Sequence, residues 1–111
     1  LSVVLWYGIV SNREQRGEQM RKITREVVGA FVNKRSACID NTNSDGQSLR
    51  LHGNKIAEYR QDGMYITTCG WETKTTLERL NGIPNVDVCI HKGHLFLNGT
   101  LWDGDWVKVA E

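Results

Sequence analysis

Cys89, His91 and His94 carry the donor atoms that bind transition metals. On a strand, positions 89 and 91 share a face, and His94 could return across a turn. A structural zinc site needs four ligands, so Cys38 or Cys69 would have to complete it. The spacing matches no standard ligand pattern, and the expectation is histidines on a hairpin surface with no metal and no cofactor. Cys69, just before Gly70, could act as a nucleophile only with a depressed thiol pKa and a nearby base. Asp103 and Asp105 flank Gly104, and D-G-D between two tryptophans reads as a tight turn or bulge. No phosphate loop of the form G-x-x-x-x-G-K or G-x-G-x-x-G is present. These residues assemble no catalytic constellation, so the chain is expected not to be an enzyme.

Three other groups could recognise a partner. Thr75 and Thr76 open a short helix, and Arg79 follows one turn later, so free backbone N–H groups there could hold an anion. Against that, Thr75 and Glu78 form a T-x-x-E capping box that already satisfies those donors. Arg50, His52, Lys55 and Arg60 lie on or beside one hairpin with Tyr59 and Tyr65 near. Basic groups beside aromatic rings on an exposed sheet suit single-stranded nucleic acid. The aromatics sit at mixed parity and Glu58 interrupts, which favours an ordinary solvated face. Trp71 follows Gly70 close to Leu77 and Leu80 and is expected in the core. Trp102 and Trp106 are four apart, on one face of a regular strand, where one of them could be a binding hot spot.

Positioning these groups requires a small set of elements. The 111-residue chain supports one small domain. Its hydrophobic share of 40% and charged share of 24% exclude global disorder. Ile23, Val27, Val28 and Phe31 form a helical stripe over roughly Arg21–Asn33. The run DNTNSDG at 40–46 reads as a surface loop. Leu49 and Leu51 alternate with Arg50 and His52 on a strand. Turns at Gly53-Asn54 and Asp62-Gly63 then lead to Lys55–Tyr59 and to Met64–Ile66. A short helix over Thr76–Asn81 ends at Gly82. Asp87–His91 and Leu95–Asn98 form a hairpin around Lys92-Gly93, and Asn98-Gly99 turns into a closing strand, Leu101–Val109. The architecture is α+β: an N-terminal helix packed on a meandering antiparallel sheet of about five strands, with a short second helix.

Net charge of +1 does not mark a dedicated nucleic-acid or membrane binder. Residues 1–60 hold ten Lys/Arg against six Asp/Glu, and residues 61–111 hold four against seven. A basic first half could still meet an anionic partner locally. Three cysteines at irregular spacing, with no C-x-x-C, argue for free, mostly buried thiols in a reducing compartment. No window approaches the ~18 apolar residues of a membrane span. The opening LSVVLWYGIV lacks a basic flank and a cleavage site, so it is a poor signal peptide. Residues 16–20 can be encoded as AGA GGA GAA CAA ATG, which resembles a ribosome-binding site ahead of a start codon. Residues 1–19 are therefore expected to be an upstream-translated extension, and residues 20–111 the domain.

The segment LHGNKIAEYRQDGMYITTCGWETKTTLERLNGI, followed by LFLNGTLWDGDW, resembles a family of small, functionally uncharacterised proteins of tailed bacteriophages. The shared features are a start similar to MRKITREVVGAF, a GN-x-IA hairpin, GW-x-T-x-TT-x-x-RLN and WDG-x-W, together spanning Met20–Val109. The resemblance implies a phage or prophage origin and expression in a bacterial cytoplasm, and it carries over no catalytic residue. Two functions are expected. One is a non-catalytic accessory protein that binds a host or anti-phage-defence component, either a protein or a small signalling nucleotide. The other is a small nucleic-acid-binding protein using the hairpin around residues 50–60.

Overall fold

The computed structural model describes residues 20–111; the expectation for residues 1–19 lies outside them. Helix α1 spans residues 20–32 and buries Ile23, Val27, Val28 and Phe31, as their spacing requires. Its middle, Thr24–Val28, is wound as a π-turn and its end, Gly29–Val32, as regular α-helix. Lys34 adopts the left-handed conformation, φ 59°. That lets Arg35 N–H reach Ala30 O at 2.7 Å and Lys34 N–H reach Phe31 O at 3.0 Å, closing the helix end.

A six-stranded antiparallel sheet follows: β1 (Ser36–Ile39), β2 (Thr42–Asp45), β3 (Ser48–Leu51), β4 (Asn54–Arg60), β5 (Gly63–Ile66) and β9 (Val107–Ala110), in that order. Helix α2 spans Lys74–Asn81. A separate antiparallel sheet holds β6 (Val88–His91), β7 (His94–Leu97) and β8 (Thr100–Leu101). The α+β class stands, with the strands divided between two sheets rather than gathered in one of about five.

The expected loop at 40–46 is instead a hairpin. Asp40 and Asn41 make its two-residue turn, with Ile39 opposite Thr42 and Ser36 opposite Asp45. Polar strand residues are tolerated here because their buried hydroxyls are bonded: Ser44 Oγ donates to Arg35 O at 2.8 Å, and Thr42 Oγ1 donates to Asn41 Oδ1 at 2.8 Å. The β3–β4 turn is His52-Gly53, both left-handed at 52° and 81°, not Gly53-Asn54. The β4–β5 turn is Gln61-Asp62, because Gly63 already pairs with Arg60. Lys92-Gly93 and Asn98-Gly99 turn where expected.

The cap of α2 is Thr73, whose Oγ1 accepts from Thr76 N–H at 3.2 Å; no Thr75–Glu78 capping box forms. The helix starts two residues earlier than expected, with Thr76, Arg79 and Leu80 facing inward and Leu77 half-buried. Gly82 ends the helix with right-handed φ −75°. Its role is steric: a Cβ there would collide with Thr24 Cγ2 where α1 and α2 meet. The core joins α1, α2, the helix-facing side of β3–β5, Ile83, Val86, Val88 and Leu95.

Trp71 is not part of that core. Thr67 and Thr68 both bond Gly104 O, and Cys69-Gly70 turn at φ 57° and 80°. Trp71 N–H then closes the turn on Thr68 O at 2.9 Å, and the indole emerges 59% exposed. The cysteines are also displaced from expectation: Cys38, Cys69 and Cys89 are all free and exposed.

Candidate functional site

Directly opposed strand residues share a face, so the register sorts the candidate side chains. Arg50 lies opposite Asn43 and Lys55, Glu58 opposite Tyr65, and Tyr65 opposite Lys108. These occupy the face of the large sheet away from the helices. Arg60 joins them: its guanidinium carbon lies 4.3 Å from the Tyr65 ring centroid and 4.8 Å from that of Trp106. Its Nε also donates to Glu58 Oε1 at 2.7 Å, and Lys55 Nζ lies 3.5 Å from Glu58 Oε2. The Arg60 bond, with the nearby Lys55 charge, holds the Glu58 carboxyl below its ordinary pKa. Tyr65 donates to Asp62 at 2.7 Å, which lowers the Asp62 pKa and raises that of the phenol.

Two members of the expected basic hairpin lie elsewhere. Tyr59 faces the helices, where it stacks on Phe31 at 4.9 Å and donates to Val32 O at 2.9 Å. Burial raises its pKa. His52 sits in the exposed β3–β4 turn, 3.5 Å from Asn41 Nδ2. For Tyr59 the physical reason is a bulge at Leu49/Arg50, which resets the alternation of side chains along β4; His52 is displaced because it forms the turn itself.

Trp102 and Trp106 are not on one strand. β8 stops at Leu101 and β9 starts at Val107, and the intervening loop is tied by Trp102 Nε1 to Asp105 O at 2.9 Å. Trp102 packs against the core, whereas Trp106 meets Arg60. Asp103 and Asp105 spend carboxylate oxygens on the backbone N–H groups of Asp105 and Trp106, as a tight turn requires.

Arg79 cannot bind an outside anion at the helix start. It is 1% exposed, and its guanidinium donates to Thr42 Oγ1 at 2.9 Å, Thr24 Oγ1 at 2.9 Å and Met20 O at 3.1 Å. Burial draws its pKa down. Cys89, His91 and His94 share a face of the small sheet, with His91 opposite His94. Among the described residues, no three His, Cys, Asp or Glu side chains converge as a metal site would require.

A concavity lies between the β3–β4 turn and the start of α2, with a volume of about 380 Å³. Leu51 and Ile56 give it an apolar lining, and Trp71 forms part of its wall. His52, Asn54, Thr68, Thr73, Thr75 and Thr76 supply polar groups. Thus His52, Thr75 and Thr76, expected at two separate sites, line one cavity. Trp71, Leu51 and Ile56 were missed as site residues. The available signal was Cys69-Gly70, a turn-forming pair that can throw the next side chain outward.

The family model described as Kyanoviridae Gp96 protein matches residues 20–109. No curated protein and no solved structure matches the chain. Among the described residues, no helix is long and apolar enough to cross a membrane.

Proposed function

The chain belongs to the Kyanoviridae Gp96 family of phage proteins, and on that premise we propose that it is a non-catalytic accessory protein. It acts in the bacterial cytoplasm by binding a component of the host or of its anti-phage defence, and the cavity beside Trp71 is its working site. One observation carries this reading: a tryptophan held 59% exposed on a closed turn, beside an apolar-lined cavity. Exposing so large a ring leaves unrealised the burial that tryptophan usually contributes, and such residues anchor partners. A concavity with an apolar lining and a few convergent polar groups is the usual form of a ligand site. Among the described residues, His52 is the one titratable residue in its lining.

The nucleic-acid reading is the weaker one. On the outer sheet face, Arg60 already covers Tyr65 and Trp106, and Glu58 already engages Arg60 and Lys55. The Tyr65 and Trp106 rings and the Arg60 and Lys55 charges are thus used internally.

The test is to immobilise the protein, Trp71→Ala and Trp106→Ala, pass host-cell extract over each, and identify bound metabolites and proteins by mass spectrometry. Species held by the parent and by Trp106→Ala but released by Trp71→Ala support the cavity. Species held by Trp71→Ala and lost from Trp106→Ala move the site to the outer sheet face.

A further inference from the structure

The walls of the cavity restrict what can enter it, and we infer that it takes an uncharged heteroaromatic ring of nucleobase type, carried on a free small molecule. This rests on the reading of the Trp71 cavity as the working site. Size comes first. A volume of about 380 Å³ falls at the lower end of the ~300–1,000 Å³ of small-molecule sites. That admits a ring and a sugar-sized appendage, not a helix or strand of another protein.

Shape and polarity come next. The Trp71 indole offers apolar surface to a face of a flat ring, and Leu51 and Ile56, both almost fully buried, close the floor beneath it. The edges of that ring must meet polar groups. The hydroxyls of Thr73 and Thr76 already bond each other at 3.0 Å, and Thr68 Oγ1 is directed to Gly104 O at 3.3 Å. Asn54 and Thr75 also line the cavity, and among the described residues their side chains are not drawn into such bonds. An amide and a hydroxyl together present donors and acceptors, which match the mixed edge of a nucleobase. A phenyl or aliphatic group would shield them from water and leave them unpaired.

Charge completes the argument. Among the described residues, no Lys, Arg, Asp or Glu lines the cavity, so a charged ring buried there would lack a counter-charge from them. Lys55, on the other face of the hairpin, is paired with Glu58. A nucleic-acid strand needs a cationic track for its phosphates, and the walls of this cavity supply none. The ring therefore arrives on a free molecule rather than on a strand.

The experiment titrates the full chain with adenosine, guanosine, cytidine and uridine, with p-cresol as an aromatic side-chain mimic, and with a short mixed-sequence oligonucleotide. Calorimetry and NMR shift mapping read the binding. At least one nucleoside should bind, with little change between low and high salt, and shift the signals of Asn54, Trp71 and Thr75. Trp71→Ala should weaken it at least about tenfold, Trp71→Phe less, and Thr75→Val severalfold with the thermal midpoint unchanged. Binding of p-cresol as tightly as of the nucleosides overturns the inference in favour of an aromatic side chain. Tighter, salt-steep binding of the oligonucleotide overturns it in favour of a strand. Absence of nucleoside binding while Trp71→Ala still releases species from host extract refutes the ring and leaves the site standing; absence of both refutes the site as well.

Discussion

Arg79 Nε donates to Thr42 Oγ1 at 2.9 Å across 37 residues of chain, and this bond joins helix α2 to the second strand of the sheet. The same guanidinium holds α1 through Thr24 Oγ1 and Met20 O. A cation buried among hydroxyls and a carbonyl is tolerated because its donors are met by fixed acceptors. Where α1, α2 and β2 converge, the packing is therefore polar as well as apolar.

Removing Arg79 should be among the costliest single changes. Arg79→Ala leaves a void and unpaired acceptors, with an expected loss of about 2–5 kcal/mol in urea unfolding. Arg79→Lys should recover less than half of that loss, because an ammonium does not reproduce the guanidinium fork. A loss below about 0.5 kcal/mol for Arg79→Ala would show that the cluster contributes nothing.

Trp71→Ala should be nearly neutral for stability, within about 0.5 kcal/mol, because the indole is exposed. Leu80→Ala, at a fully buried position, should cost about 2–5 kcal/mol. Thermal melts of the two variants side by side decide this, and equal losses would place Trp71 in the core.

Acid should weaken the fold partly through Glu58. Its folded pKa is depressed below 4.5 by the hydrogen bond from Arg60 and the nearby cations. A depressed carboxyl stabilises the fold above its unfolded pKa and loses that contribution as pH falls through the folded value. Glu58→Gln should therefore lower the midpoint at neutral pH and converge with the parent as pH falls below the depressed folded pKa. A constant difference at every pH would remove the linkage.

The thiols give a simpler check. Cys38, Cys69 and Cys89 are exposed, so all three should react with a thiol reagent in the native protein without prior unfolding. A thiol that reacts only after unfolding would contradict the arrangement.

Much of the scaffold was legible because its signals are local. The stripe Ile23, Val27, Val28 and Phe31 marks α1 without reference to anything else. Lys92-Gly93 and Asn98-Gly99 mark their turns because two consecutive left-handed residues favour such pairs. What was not legible depends on distant partners. Thr42 and Ser44 look like loop residues until Arg79 and Arg35 O supply their bonds. Thr73 and Thr75 compete as caps, and Thr75-x-x-Glu78 is the stronger local pattern. The folded helix nevertheless starts after Thr73, whose Oγ1 caps Thr76 N–H. The bulge at Leu49/Arg50 sends Tyr59 toward Phe31 and Arg60 toward Trp106, and hairpin composition alone carries no sign of it. Trp71 was misplaced because tryptophan is normally buried. Its exposure follows from the Cys69-Gly70 turn fastened to Gly104.

The most direct measurement of the Trp71 site is amide hydrogen exchange on the full chain, with and without the species it retains from host extract. The expected result is slowed exchange confined to two segments, Leu51–Ile56 and Thr68–Thr76, which border the cavity. Slowed exchange instead along Glu58–Tyr65 and Trp106–Lys108, with the cavity segments unchanged, would contradict the Trp71 site and assign binding to the outer face of the sheet.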